Sequence, residues 1–133
     1  MNDIQSADDV TRLVKSFYET VIVDPEIGFL FTEIAKTNFE HHLPVMVAFW
    51  EFLLLGIDGF RGNPMGVHQK LHDQFPLTEA HFERWLAIWS ANIDGLFSGP
   101  KADEAKTRAR SIADITKYKL GVPGSRDIHF QGA

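Results

Sequence analysis

Tyr18, His42, His68 and Trp85 each fall on or beside the apolar face of a different predicted helical segment, so one buried pocket could be lined by a phenol, two imidazoles and an indole. His68 is the most consequential of the four. It follows Gly56, Gly59, Gly62, Pro64 and Gly66, a run of loop signals after a long apolar stretch, and a histidine placed there can project inward as a ligand. The chain has no cysteine, which leaves imidazole as the soft donor. Haem iron is the leading candidate partner, because histidine is its usual proximal ligand. His68 and His72 also form an i, i+4 pair that could hold zinc, but no glutamate follows the first histidine and no third ligand is evident. A di-iron bundle would need paired Glu-x-x-His motifs on a shared inward face, and none is present.

Each residue also has a plainer explanation. Tyr18 sits between Phe17 and Val21, where most tyrosines bury a ring and give the hydroxyl a backbone partner. Trp85 belongs to a stripe with Phe82 and Trp89 that core packing alone would explain. His42 is inward at a spacing of four from Met46, as many core histidines are, while His41 should be solvated. The pocket rests on the combination.

These residues need helices to carry them. Ser6 with Asp9 makes a capping-box-like start, and Val10, Leu13, Val14, Phe17, Tyr18 and Val21 then repeat at helical spacing up to about Asp24-Pro25. Ile27 to Ile34 reads as a one-turn helix or corner. Thr37 and Glu40 suggest a second capping box, followed by Phe39, His42, Leu43, Met46, Val47, Trp50, Leu53 and Leu54 over four to five turns, with Pro44 as a local bend. Gly56 to Gly66 reads as loop and Val67 to Asp73 as a short helix closed by Pro76. Thr78 caps the next helix, with Phe82, Trp85, Leu86, Trp89, Ile93, Leu96 and Phe97 on its apolar stripe up to Gly99-Pro100. A last helix over Lys101 to Leu120 turns Ala105, Ala109, Ile112, Ala113 and Ile115 inward and stops at Gly121 and Pro123. Nothing alternates with period two, so no strand is expected. Residues 1–123 form one domain in this reading, and residues 124–133 a mobile tail.

Composition bounds the partners. The length suits a single domain with 44% hydrophobic residues to fill its core. A net charge of −5, with 13 scattered basic residues, argues against nucleic acid and anionic membrane surfaces. No apolar run approaches a membrane span, and Met1-Asn2-Asp3 lacks the positive charge of a signal peptide, so a cytoplasmic protein is expected, and a monomer.

Phe17-Tyr18, His42, Phe49-Trp50, Gly62-Asn63-Pro64-Met65 leading to His68, and Phe82-Glu83-Arg84-Trp85-Leu86 together resemble the group III truncated haemoglobins, in order and spacing from about Val10 to Leu120. The resemblance implies a shortened, all-α globin with two helices packed across two others around a b-type haem. It implies His68 as the proximal iron ligand, Tyr18 and His42 as the distal tyrosine and histidine, and Trp85 as the pocket tryptophan. Phe17, Phe31, Met46 and Trp50 are the expected haem contacts or pocket walls. Paired glycines at the helix corners, usual in groups I and II, are lacking. Around His72-Asp73-Gln74 the chain is about three residues longer than some relatives, which makes His72 the rival proximal ligand; the spacing from Trp50 favours His68.

Two functions follow from the resemblance. As a binding protein, the chain would take up O2, CO or NO, with the Tyr18 hydroxyl and the Trp85 N–H stabilising charge on the bound ligand. As an enzyme, it would turn over NO or peroxide with an external reductase. His42 could join the donors, gate the pocket or bind iron itself. A carbonyl acceptor on the second nitrogen of His68, and propionate pairing by Arg61, Lys70 or His72, are further expectations. A helical interaction domain with incidental histidines is the reading without haem.

Overall fold

The computed structural model describes residues 1–122, so the tail expected at 124–133 lies outside the described residues. Five helices carry the chain: α1 (Ala7–Val21), α2 (Phe39–Leu55), α3 (Pro64–Gln74), α4 (Glu79–Leu96) and α5 (Pro100–Leu120), with a π-helical turn at Leu30–Ile34 between the first two. No strand occurs among the described residues. α1 packs on both α2 and α4, and α4 packs on α5, giving the two-over-two arrangement of helices expected from the sequence.

α1 forms where its apolar positions recur at three and four, and all six of those side chains are buried. Ser6 Oγ accepts from Asp9 N–H, while the Asp9 carboxylate reaches back to Gln5 N–H at 2.8 Å. The helix stops at Val21, short of Asp24-Pro25, because Asp24 starts a turn of its own: its carboxylate accepts from the N–H groups of Glu26 and Ile27. Gly28 is required just beyond. A Cβ there would stand 2.7 Å from the Ile22 carbonyl oxygen. The π-helical turn then swings Phe31 edge-on against the Tyr18 ring, with centroids 6.0 Å apart.

α2 is capped by Asn38 rather than Thr37, the Asn38 side chain accepting from His41 N–H. It runs through Pro44, whose missing N–H costs one bond to Glu40 and does not end the helix. Only Trp50 and Leu54 of α2 are buried; Phe39, Leu43, Met46 and Val47 in its first half are half-buried. α3 starts three residues earlier than expected, because Asn63 caps it and Pro64 fits its first position. No residue of α3 is buried. It leans on α5 and on the π-helical turn, and none of its Cα atoms comes within 8 Å of one in α2 or α4. α2 and α3 therefore stand apart.

α4 and α5 make the close layer. Ala102, Ala105, Ala109 and Ala113 are all buried on α5, and such small side chains let its backbone approach α4. The Trp89 indole N–H donates to the Ala105 carbonyl at 3.2 Å. Ile115, expected inward, is exposed; the inward face runs from Ala113 to Thr116, Lys117 and Leu120, three, four and seven residues on, and Ile115 falls off it. The buried Lys117 ammonium lies 3.4 Å from Asp114, 3.7 Å from Glu83 and 3.9 Å from Glu79. At the other end, Asp3 accepts from Lys101 and Ala102 N–H and caps α5, so the N-terminal strap closes the α4–α5 corner.

Candidate functional site

The space bordered by α2 and α3 is walled by side chains that the rest of the protein covers only in part. α2 contributes Phe39, His42, Leu43 and Met46, the π-helical turn Phe31, α3 Leu71 and His68, and α4 Trp85, all half-buried. Phe17 and Tyr18 of α1 are buried at its back. Half-buried apolar walls with a few polar groups among them suit a flat, mostly apolar ligand.

Tyr18 and His42 meet across two helices, with hydroxyl and Nε2 3.0 Å apart. The hydroxyl donates in the tautomer that carries the ring proton on Nδ1. Burial of Tyr18 pushes its phenol well above the usual range, so it stays protonated. Burial also holds His42 below the usual imidazole range, with a smaller contribution from the neighbouring His41 charge, so this ring is neutral near pH 7. The pair is enclosed by rings: Phe31, Phe39 and Phe17 all lie within 6.0 Å of Tyr18, centroid to centroid.

His68 has the chemistry of a ligand in waiting. Its Nδ1 is buried and has no hydrogen-bond partner, the one such side-chain atom among the described residues. The carbonyl acceptor expected on that nitrogen is not there. Burial lowers its pKa first and the His42 ring adds to the effect, so the imidazole is neutral near pH 7 and keeps a lone pair. His72, the rival, is otherwise engaged: its Nδ1 accepts from Leu77 N–H at 2.9 Å and closes the α3–α4 corner. His81 is likewise spent in the cap of α4, where it exchanges bonds with Thr78. Haem fits these residues, since an unpaired neutral imidazole and a gap between two helices are what a planar iron porphyrin needs from a protein.

Trp85 lies edge-on to Phe17 at 5.8 Å and parallel to Trp89, with centroids 6.2 Å apart. The two indoles differ in what their N–H groups do. Trp89 donates to Ala105, whereas Trp85 donates to no acceptor among the described residues. Trp50 is buried and stacked on Trp89 at 4.6 Å, so it reaches the core behind the half-buried walls, while Met46 shares the His42 face of α2 one turn on. Arg61 is exposed and pairs with Asp58, and Lys70 is exposed.

Sequence reasoning missed one contributor. Asp24, buried in the corner after α1, receives Arg84 Nη2 at 2.6 Å, and Glu26 receives Arg84 Nε at 2.8 Å. The adjacent residue is Trp85, so this ion pair fixes α4 against the corner that leads to Phe31. The Asp24-Pro25 turn signal marked the place but gave no hint of its distant partner. A separate open groove of about 500 Å3 lies along Thr20, Arg84, Ala87, Ile88, Ala91 and Asn92, and has no imidazole or indole on its wall.

The chain matches the family model described as bacterial-like globin over residues 2–117. It is 27% identical over 120 residues to a group 3 truncated haemoglobin of Campylobacter jejuni, covering 86% of this chain and 92% of the relative. A crystal structure of group III truncated haemoglobin from Campylobacter jejuni superposes with a TM-score of 0.78 at 24% identity, covering 90% of this chain and 95% of that one. The resemblance drawn from the motifs is thus met in sequence and in fold. No helix among the described residues is long and apolar enough to cross a membrane.

Proposed function

The chain belongs to the bacterial-like globin family, whose members bind haem and small ligands, and we propose that it holds a b-type haem through His68 and reversibly binds O2 or a similar diatomic ligand. The observation that carries this reading is the His68 imidazole, kept neutral by burial and without a hydrogen-bond partner on its buried Nδ1, on a helix whose Cα atoms stay more than 8 Å from those of α2. When bound, haem supplies an iron with one position open for a ligand. The side chains of this protein supply the rest.

His68 would hold the group from α3, and the half-buried Phe31, Phe39, Leu43 and Met46 would pack against it and exclude water. Tyr18 and Trp85 are the donors toward the ligand. The N–H of Trp85 has no acceptor among the described residues; the Tyr18 hydroxyl must turn from His42 to reach a ligand. In a desolvated pocket each such bond is worth on the order of 1 to 3 kcal/mol, or about ten to a hundredfold in ligand release.

Absorption spectra of the purified protein with hemin, before and after dithionite and CO, test the reading. A Soret band that shifts with CO is expected. Colourless protein after reconstitution overturns it. Turnover of NO or peroxide is distinguished from reversible binding by measuring rates with a reductase supplied.

A further inference from the structure

The back wall of the pocket holds a continuous run of ring contacts that leads from three tryptophans past one phenylalanine to a tyrosine. Trp50 stacks on Trp89 at 4.6 Å, Trp89 lies parallel to Trp85 at 6.2 Å, Trp85 and Trp89 both meet the edge of Phe17, and Phe17 meets Tyr18 at 5.1 Å. The chain ends on a phenol whose hydroxyl already faces an imidazole 3.0 Å away. We propose that Tyr18 is a redox-active tyrosine, which gives an electron to a one-electron oxidant reaching the pocket or the tryptophan stack while its phenolic proton moves to Nε2 of His42.

The local chemistry favours this end point. Trp89 has its N–H on a backbone carbonyl, which cannot take a proton, so an electron lost from the stack leaves a positive charge inside an apolar core. Tyr18 can lose an electron at lower cost, because its proton has a base to go to along an existing hydrogen bond and the positive charge then rests on the half-buried His42 ring instead of in the closed core. Burial keeps His42 neutral beforehand, so its Nε2 can accept. The surrounding Phe17, Phe31 and Phe39 rings pack around the phenol and shield the resulting radical from bulk water.

For nitrogen dioxide, an oxidant of the class that NO and O2 chemistry produces, the step balances as follows. The Tyr18 phenol loses one electron and its proton, nitrogen dioxide gains the electron and leaves as nitrite, and His42 becomes imidazolium. A one-electron donor such as ascorbate then restores the phenol, the electron returning together with the proton held by His42, while the ascorbate becomes its radical anion and releases its own proton to solvent. The activity is removal of oxidising radicals. It uses only residues of this chain, so it stands or falls apart from the haem assignment.

Pulse radiolysis with azide radical as the oxidant tests it on the haem-free and the hemin-loaded protein. The chain has two tyrosines, and a Tyr118→Phe background leaves Tyr18 alone. The tryptophanyl absorption should decay into phenoxyl absorption at a rate independent of protein concentration. In His42→Leu the transfer should slow by at least about tenfold. Adding Tyr18→Phe should abolish the phenoxyl signal, and near-UV circular dichroism checks that each variant is folded. His42→Gln keeps a hydrogen-bond acceptor but not the base, and should behave as His42→Leu. Tryptophanyl radicals that decay only bimolecularly, or transfer unchanged in both His42 variants, would overturn the proposal.

Discussion

The Asp24 carboxylate lies 2.6 Å from Arg84 Nη2, joining the corner after α1 to the residue next to Trp85 across 60 positions of sequence. Only 4% of the Asp24 side chain is exposed, and it also satisfies the N–H groups of Glu26 and Ile27. Removing it leaves the two backbone N–H groups without their acceptor and Arg84 with Glu26 alone.

Asp24→Ala should therefore cost about 2 to 3 kcal/mol of stability, read from urea unfolding of the haem-free protein. The Arg84 hydrogen bond, helped by the two backbone donors and opposed by burial, holds the Asp24 carboxyl below the usual range. Its contribution is full above the ordinary carboxylate pKa of about 4 and fades as pH falls through the depressed folded value, since the unfolded chain takes up that proton first. A variant as stable as wild type at neutral pH would contradict this account.

His68→Leu should abolish the Soret band and, in the haem-free protein, raise stability by about 1 kcal/mol. The substitution removes a buried nitrogen that has no partner, and a site kept for a ligand is stabilised by filling it with hydrocarbon. Loss of stability in the haem-free variant would mean that the imidazole is satisfied within the protein.

Tyr18→Phe and Trp85→Phe should each speed O2 release by about tenfold in stopped-flow measurements. Trp89→Phe is the contrast. Its indole N–H is committed to Ala105, so it should lower the melting temperature and leave the release rate near that of wild type. Unchanged release in both pocket variants would remove the donor role.

His42 and His68 both sit below the ordinary imidazole value of 6.5 because burial disfavours their charged forms. The unfolded chain then binds protons that the folded chain resists, so the haem-free protein keeps full stability above about pH 6.5 and loses it as pH falls below. The double variant His42→Leu, His68→Leu should flatten that slope, as followed by thermal melts between neutral and mildly acidic pH. A slope as steep as wild type would place the titration elsewhere.

Much of this was legible in the chain. Val10 to Val21 announced α1 because one face of a helix must be apolar, and Tyr18, His42, His68 and Trp85 stood on or beside such faces. What stayed hidden depends on geometry that no local pattern carries. Thr37 and Asn38 are equally good caps on paper, and the backbone chose Asn38. Ile115 looked inward by its hydrophobicity, while the helix phase set by Ala109 and Ala113 sent it to solvent and buried Lys117. His72 and His81 had to be seen in place before their engagement with backbone N–H groups told them apart from His68.

α3 carries the imidazole on which iron binding would depend, yet none of its residues is fully buried and its Cα atoms stay more than 8 Å from those of α2. The helix that would hold the cofactor is then the one the apoprotein can most easily spare. Amide exchange should be fastest there before hemin is added and slow sharply afterwards, so that uptake of the group amounts to the last step of folding.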